Sequence, residues 1–328
     1  MGSWDDLVTA RARRGSSHLE LVVDGGWPLC LAESMTEADL ERTRAYWDEQ
    51  ADEHFHDGAY TNRAEWRGHP ACVARSERLL RGTAADWLSS RLTTPVHRAL
   101  GAGSGHGAFE IDLVARGVVD HVDLFDVSVR ALEIAAARAA SLGLTDRVAI
   151  HREDFFGATG QYDLITFMSS LHHSMDMRRT VRFAYDHLNP GGAVFADEYV
   201  GPRRFAYPRE HADVVKMLYR ALAPELRCEW PELPQPIPED VAAADPTEAA
   251  QSDLIISELR AAFHSLEVVE TRGTLPFILW WGLNHDALWD SPEGREFVNL
   301  LLELDDAMVI SGRVPSYFAV LYATKQSC

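Results

Sequence analysis

Between residues 96 and 201, short apolar runs alternate with Ala-rich stretches whose apolar residues recur at helical intervals. The runs are VHRALGAG, followed by a helix from about Ala108; HVDLFDVS, followed by VRALEIAAARAASLG; RVAIHREDFF; YDLITFMSSLHH, followed by MRRTVRFAYDHL; and GGAVFADEYVG. Strand then helix, repeated, predicts a parallel sheet with helices on both faces, because one parallel strand reaches the next only through a crossover. Upstream, residues 36–56 place Leu40, Tyr46, Trp47 and Phe55 at helical spacing behind a Thr36-Glu37 start, and a second helical stretch is predicted over 70–91. After Gly201-Pro202 the alternation stops. Residues 229–258 hold eight acids, five prolines and no Lys or Arg. An exposed irregular insertion is predicted there, closed by a helix that starts near Asp245-Pro246-Thr247-Glu248. The regular pattern resumes at SLEVVETRG and ends on a strand over about 317–324. The expected organisation is a helical lid segment (1–90), a ligand-binding core (91–202), an inserted substrate cap (203–264) and closing strands with a helix (265–328).

The chemistry concentrates where strands meet helices. The first strand runs into Ala99-Leu100-Gly101-Ala102-Gly103-Ser104-Gly105-His106-Gly107-Ala108. Glycines there let the backbone turn sharply and let a ligand approach the free N–H groups of the next helix. Gly101, Gly103 and Gly105 form GxGxG, suited to the amino-acid and ribose part of S-adenosylmethionine, whereas Gly103, Gly105 and Ala108 form GxGxxA, a dinucleotide fingerprint. Asp126, with Val127 beside it, ends the second strand, where a carboxylate can accept both ribose hydroxyls; Ser128 can supply the helix cap instead. Asp154 at the third strand's end can accept an adenine amino group while Phe155 packs on the ring. The fourth strand ends in Met168-Ser169-Ser170-Leu171-His172-His173. That places Ser169 beside the ligand and His172 and His173 as candidate bases or substrate contacts at the edge where open α/β sheets bind ligands. Glu198 and Tyr199 end the fifth strand at the same edge. They are candidate acceptor contacts, with an ion pair from Glu198 to Arg203 or Arg204 as the structural alternative. Asn189-Pro190-Gly191-Gly192 reads as a turn that structure alone explains.

Composition narrows the partners. The chain of 328 residues carries 50 Asp+Glu against 31 Lys+Arg, a formal net charge of -19. Such a chain lacks the basic patch that nucleic acid or an anionic membrane face requires. The eight uncompensated acids of 229–258 suggest a negative face beside the acceptor. Cys30, Cys72, Cys228 and Cys328 form no CxxC pair, so neither a zinc site nor a disulfide framework is expected. Reduced thiols and the lack of a targeting or membrane-length apolar segment predict a cytoplasmic protein. Asp197 has no carboxylate or amide partner at metal-ligand spacing, so no metal is expected.

The glycine loop, Asp126, Asp154, the histidine pair and Glu198, in this order, make the chain resemble the class I S-adenosylmethionine-dependent methyltransferases over about 96–201. Within them it resembles bacterial small-molecule enzymes that carry Glu-Tyr-Val-Gly-Pro, here 198–202, and Asp-Pro-Ser/Thr-Glu-Ala, here 245–249. The resemblance implies a Rossmann-like, seven-stranded, mostly parallel sheet and S-adenosylmethionine as cofactor. It also implies methyl transfer to N or O of a small molecule, and a homodimer is a further expectation for the partners. The acid that many members carry two residues before the first glycine is Ala99 here, so another residue must meet the methionine ammonium; Tyr46 or Trp47 of the leading helix can close over that end. The rival classes are a nicotinamide-dependent oxidoreductase, for which no Tyr-x-x-x-Lys constellation exists, and a non-catalytic S-adenosylmethionine-binding protein.

Overall fold

The computed structural model describes residues 36–56, 59–60 and 62–327. The first 35 residues, with Cys30, and Cys328 lie outside the described residues. Seven strands form one sheet: β1 (Val96–Ala102), β2 (Val119–Phe125), β3 (Val148–His151), β4 (Tyr162–Met168), β5 (Leu188–Tyr199), β6 (Ser265–Arg272) and β7 (Phe318–Thr324). Their order is β3-β2-β1-β4-β5-β7-β6, parallel except for β7, which runs antiparallel to both neighbours. The order reverses at β1 and β4, whose carboxyl ends therefore flank the crevice where such sheets bind ligands. The apolar runs that marked these strands are buried on both faces, as in β1, where Ala99, Leu100 and Ala102 are all inaccessible.

Before the sheet come α1 (Glu37–His54), a two-residue antiparallel ladder between Phe55–His56 and Ala59–Tyr60, α2 (Pro70–Leu80) and α3 (Ala84–Ser89). The single helix expected over 70–91 is two. Arg81 takes φ 60° and ends α2, and Thr83 with Asp86 forms a reciprocal capping box that starts α3 in a new direction. On one face of the sheet lie α3, α4 (Ala108–Ala115) and α5 (Val129–Ser141); on the other lie α6 (Met177–His187) and, further along the chain, α9 (Ile255–Ala262). A third apolar cluster joins Trp66 and Cys72 to α7 (Arg209–Ala221), α8 (Pro238–Ala244), α10 (Thr274–Trp280), α11 (His285–Asp290) and α12 (Pro292–Ile310).

The 203–264 segment therefore divides. Its last helix, α9, covers the sheet through Ile255, Leu259 and Phe263, while the earlier part packs in the third cluster. No helix starts at Asp245. Its carboxylate accepts the N–H and hydroxyl of Thr247, at 2.8 and 2.7 Å, and closes a turn instead; the local hydrogen bonds of an Asp side chain outcompete the helix. The acid-rich stretch is also less bare than its sequence suggests. Glu232, Asp253 and Glu258 pair with Arg220, Arg203 and Arg178 from outside it, while Asp245 and Glu248 turn inward. The apolar run PFILWWGL, residues 276–283, is core, with Ile278, Leu279 and Trp280 buried in α10. Neither Cys72 nor Cys228 is in a disulfide, and among the described residues no helix is long and apolar enough to cross a membrane.

Candidate active site

A cavity of about 1230 Å³ opens at the carboxyl edge of β1, β2 and β4, with α1 and α2 against it. Its floor is the glycine loop. Gly103 takes φ +59°, and a Cβ on it would lie 2.8 Å from Cβ of Ser170, so a side chain would be both strained and blocked. Gly107 opens α4 at φ +61°, where a Cβ would meet Leu124 at 2.6 Å. Gly105 borders open space and donates its N–H to Asp126 Oδ2 at 2.7 Å. Gly101 is buried off the cavity; it leaves room for the Glu110 side chain behind it.

Asp126 stands on the wall with Val127. Its second oxygen accepts the N–H of Ser128 at 2.8 Å, while Ser128 caps α5 through Ala131, so Asp126 is free of the capping role. Burial raises the Asp126 carboxyl pKa, opposed by these backbone donors. Helix α1 is held over this corner. Asp48 accepts the Ser128 hydroxyl and the N–H of Arg130, and Arg44 donates to the carbonyl of Val127 at 3.1 Å. Trp47, not Tyr46, lines the cavity; it meets His173 edge-on at 5.3 Å, and Tyr46 packs edge-on behind it at 5.2 Å. Asp154 and Phe155 also line the cavity. Asp154 accepts the N–H of Phe156, and burial raises its pKa.

At the end of β4, Ser169 holds the left-handed φ of 54° and accepts a hydrogen bond from Arg67, which also pairs with Asp197. A non-glycine residue in that region stores strain, and such outliers gather at ligand sites. His173 and Thr247 complete this wall. His172 and Glu198 lie one layer behind. Glu198 is fully buried and accepts the N–H groups of Ser170 and Leu171 at 2.7 and 2.6 Å, and it sits 2.6 Å from His172 Nδ1. Its partner is thus His172, and neither Arg203 nor Arg204: Arg203 pairs with Asp253, and Arg204 donates to the carbonyls of Asp245, Pro246 and Glu248. Tyr199 is core. Its ring packs among Phe205, Phe277 and Phe318 and its hydroxyl donates to the carbonyl of Pro202, which leaves no face for an acceptor.

Glu110 carries no mark in the sequence, because an acid in a first helical turn reads as a partner of the helix dipole. It points inward, accepts the Thr166 hydroxyl at 2.7 Å and borders the cavity beneath the loop that Ala99 leads into. Burial raises its carboxyl pKa.

A family model described as a methyltransferase domain matches residues 99–194. The ribosomal protein uL3 glutamine methyltransferase of Neisseria gonorrhoeae is 31% identical over 141 residues, 40% of this chain and 46% of that protein. The ubiquinone biosynthesis O-methyltransferase of Aromatoleum aromaticum is 31% identical over 114 residues, 34% and 47% of the two chains. This chain thus spans about half the length of the curated relatives it matches. The fold is shared with the geranyl diphosphate C-methyltransferase of Streptomyces coelicolor A3(2), at a TM-score of 0.51 and 13% identity over 90% of this chain and all of that one. The matched segment begins in β1 and ends in β5, so it contains the glycine loop, Asp126, Asp154 and the histidine pair. Residues 99–194 are thus similar to a methyltransferase domain, set in a sheet whose fold that C-methyltransferase shares.

Proposed function

We propose that this chain transfers the methyl group of S-adenosylmethionine to an oxygen or nitrogen of a small molecule. The reading is carried by one cavity lined both by the glycine loop and Asp126 and by Ser169, Arg67, His173 and Thr247. Its volume, about 1230 Å³, exceeds the roughly 300–1,000 Å³ of a pocket for one drug-sized ligand, which leaves room for a cofactor and an acceptor together.

The residues fit the cofactor. The open ground at Gly105 admits close approach of a ligand, and Asp126 offers a carboxylate to ribose hydroxyls. Asp154 and Phe155 offer an acceptor and a ring to adenine. The bound cofactor supplies a methyl carbon on a sulfonium. What the chain must add is an acceptor held in line with that carbon and freed of water. Helices α1 and α2, with Trp47 and Cys72 on the wall, provide the enclosure. His172 and His173 mark the acceptor end, and Glu198 acts through His172 as a positioning residue. Calorimetry with S-adenosylhomocysteine and NADH tests the donor half: binding of the first alone is expected, and binding of NADH alone would overturn it. A methyl-transfer screen of phenols, amines and carboxylic acids tests the acceptor half. The uL3 relatives make a glutamine-bearing peptide the informative comparison, and transfer to it alone would replace the small-molecule reading.

In this reading Glu110 meets the methionine ammonium that an acid at position 99 would otherwise hold. Glu110→Gln is expected to weaken S-adenosylhomocysteine binding about 10- to 150-fold, the loss of a charged hydrogen bond of about 1.5–3 kcal/mol. Binding of 5′-methylthioadenosine, which lacks the amino-acid end, should stay unchanged. Equal losses for both ligands in calorimetry would mean that Glu110 only supports the loop.

A further inference from the structure

Behind the acceptor end, the side chains of His172, His173 and Glu248 converge on one point. Glu198 takes the N–H groups of Ser170, Leu171 and His172, at 2.7, 2.6 and 3.4 Å, so its oxygens are committed as acceptors. His172 Nδ1, 2.6 Å from the same carboxylate, therefore carries the ring proton. His173 Nδ1 lies 2.9 Å from Thr247 Oγ1, whose own proton goes to Asp245 Oδ1 at 2.7 Å, so His173 also donates from Nδ1. Both Nε2 atoms are left for a third residue. They face the two oxygens of Glu248, His172 at 3.6 Å and His173 at 3.8 Å, and the ligand atoms of the three residues lie within 4.8 Å of one another.

Neither imidazole reaches Glu248 at hydrogen-bond distance, so the three groups present their ligand atoms to a shared point that a cation can occupy. The arrangement is also braced. Arg204 holds the turn that carries Glu248 through the carbonyls of Asp245, Pro246 and Glu248, and Asp245 Oδ2, buried without a hydrogen bond, adds negative charge 3.5 Å from His173. Two imidazoles and one carboxylate, with each far ring nitrogen fixed by a carboxylate or hydroxyl, form the donor set of a divalent transition metal.

We propose that His172, His173 and Glu248 bind one divalent ion of the zinc, iron or manganese class, with Glu198 and Thr247 orienting the imidazoles from behind. Imidazole nitrogen selects such ions over Mg²⁺ and Ca²⁺, which prefer all-oxygen sites. Three protein ligands leave coordination positions open, and the wall formed by His173 and Thr247 sets the ion beside the cavity. Metal binding does not depend on the methyl-transfer reading, since either can fail while the other stands.

The test uses the full chain stripped with a chelator and titrated with Co²⁺, followed by visible absorption and calorimetry. One equivalent should bind with ligand-field bands, Zn²⁺ should displace it, and Mg²⁺ should not. Glu248→Gln and His172→Ala should each weaken Co²⁺ by about a hundredfold or more, and Glu198→Gln by about 10- to 100-fold. Retained S-adenosylhomocysteine binding would show that the variants fold. In the unmutated chain, Co²⁺ should broaden the ring resonances of His172 and His173, a readout that needs no variant. Failure to bind one equivalent, unchanged affinity in the variants, or broadening at other histidines would overturn the site.

Discussion

Arg75→Ala is expected to lower the unfolding free energy by about 3–5 kcal/mol, the cost of leaving a buried carboxylate without its counter-charge. Arg75 on α2 donates to Asp305 on α12 at 2.9 Å, and both side chains are shut off from solvent. Asp305 also accepts the N–H groups of Gly273 and Leu275, at 2.7 and 2.8 Å, where α10 begins. One carboxylate thus ties three elements together, and α2 lines the cavity through Cys72, Val73 and Ser76. Replacing both partners by apolar residues, Arg75→Met with Asp305→Leu, should not restore stability, because two backbone N–H groups then stay buried unpaired at about 1–3 kcal/mol each. Urea unfolding of the two variants decides the matter. If the double variant returns to the parent's stability, the backbone contacts of Asp305 contribute nothing and the argument fails. Single Arg75→Ala should also loosen ligand binding, since the α2 wall loses its tie to α12.

Parts of this architecture were legible in the residue pattern for one reason: parallel strands buried on both faces read as continuous apolar runs, and the loops at their carboxyl ends need particular residues. The glycine loop, Asp126 and the parallel strands around them follow from that. What stayed hidden depended on partners distant in sequence. Glu248 reads as one acid among eight, yet it turns inward to two histidines delivered by β4. Glu198 sits at the predicted edge, but burial and backbone donors make it a support for His172, and Tyr199 beside it faces the opposite way into the third cluster. Helix periodicity cannot register the left-handed Arg81 that splits α2 from α3, because such a conformation carries no signature in a non-glycine residue. Nor can it separate α9, amphipathic like any cap helix, from the sheet it covers.

Asp126→Ala should reduce S-adenosylhomocysteine affinity by about two to four orders of magnitude, the loss of two hydrogen bonds to a charged group at about 1.5–3 kcal/mol each. On the proposed reading the residue does two jobs, since the carboxylate that would meet the ribose also holds the N–H groups of Gly105 and Ser128. Removal therefore strips the ligand contact and relaxes the loop. The pH dependence separates these roles. Burial raises the Asp126 pKa above its ordinary 3.8, and only the ionised form accepts both hydroxyls. Ligand affinity should hold at neutral pH and fall as pH drops through that raised value, at a higher pH than an exposed aspartate would dictate. The folding contribution has the opposite sign. A carboxyl whose pKa is raised by folding stabilises the ligand-free chain when protonated, and that contribution is lost as pH rises through the raised pKa. Asp126→Asn should flatten both profiles, and calorimetry with thermal unfolding across pH 4–8 reads them. If affinity in the Asn variant keeps the parent's acid limb, the titrating group lies elsewhere and Asp126 serves only to shape the loop. If the limb disappears while binding stays weak, the carboxylate costs the empty fold stability at neutral pH and returns it when the cofactor is bound.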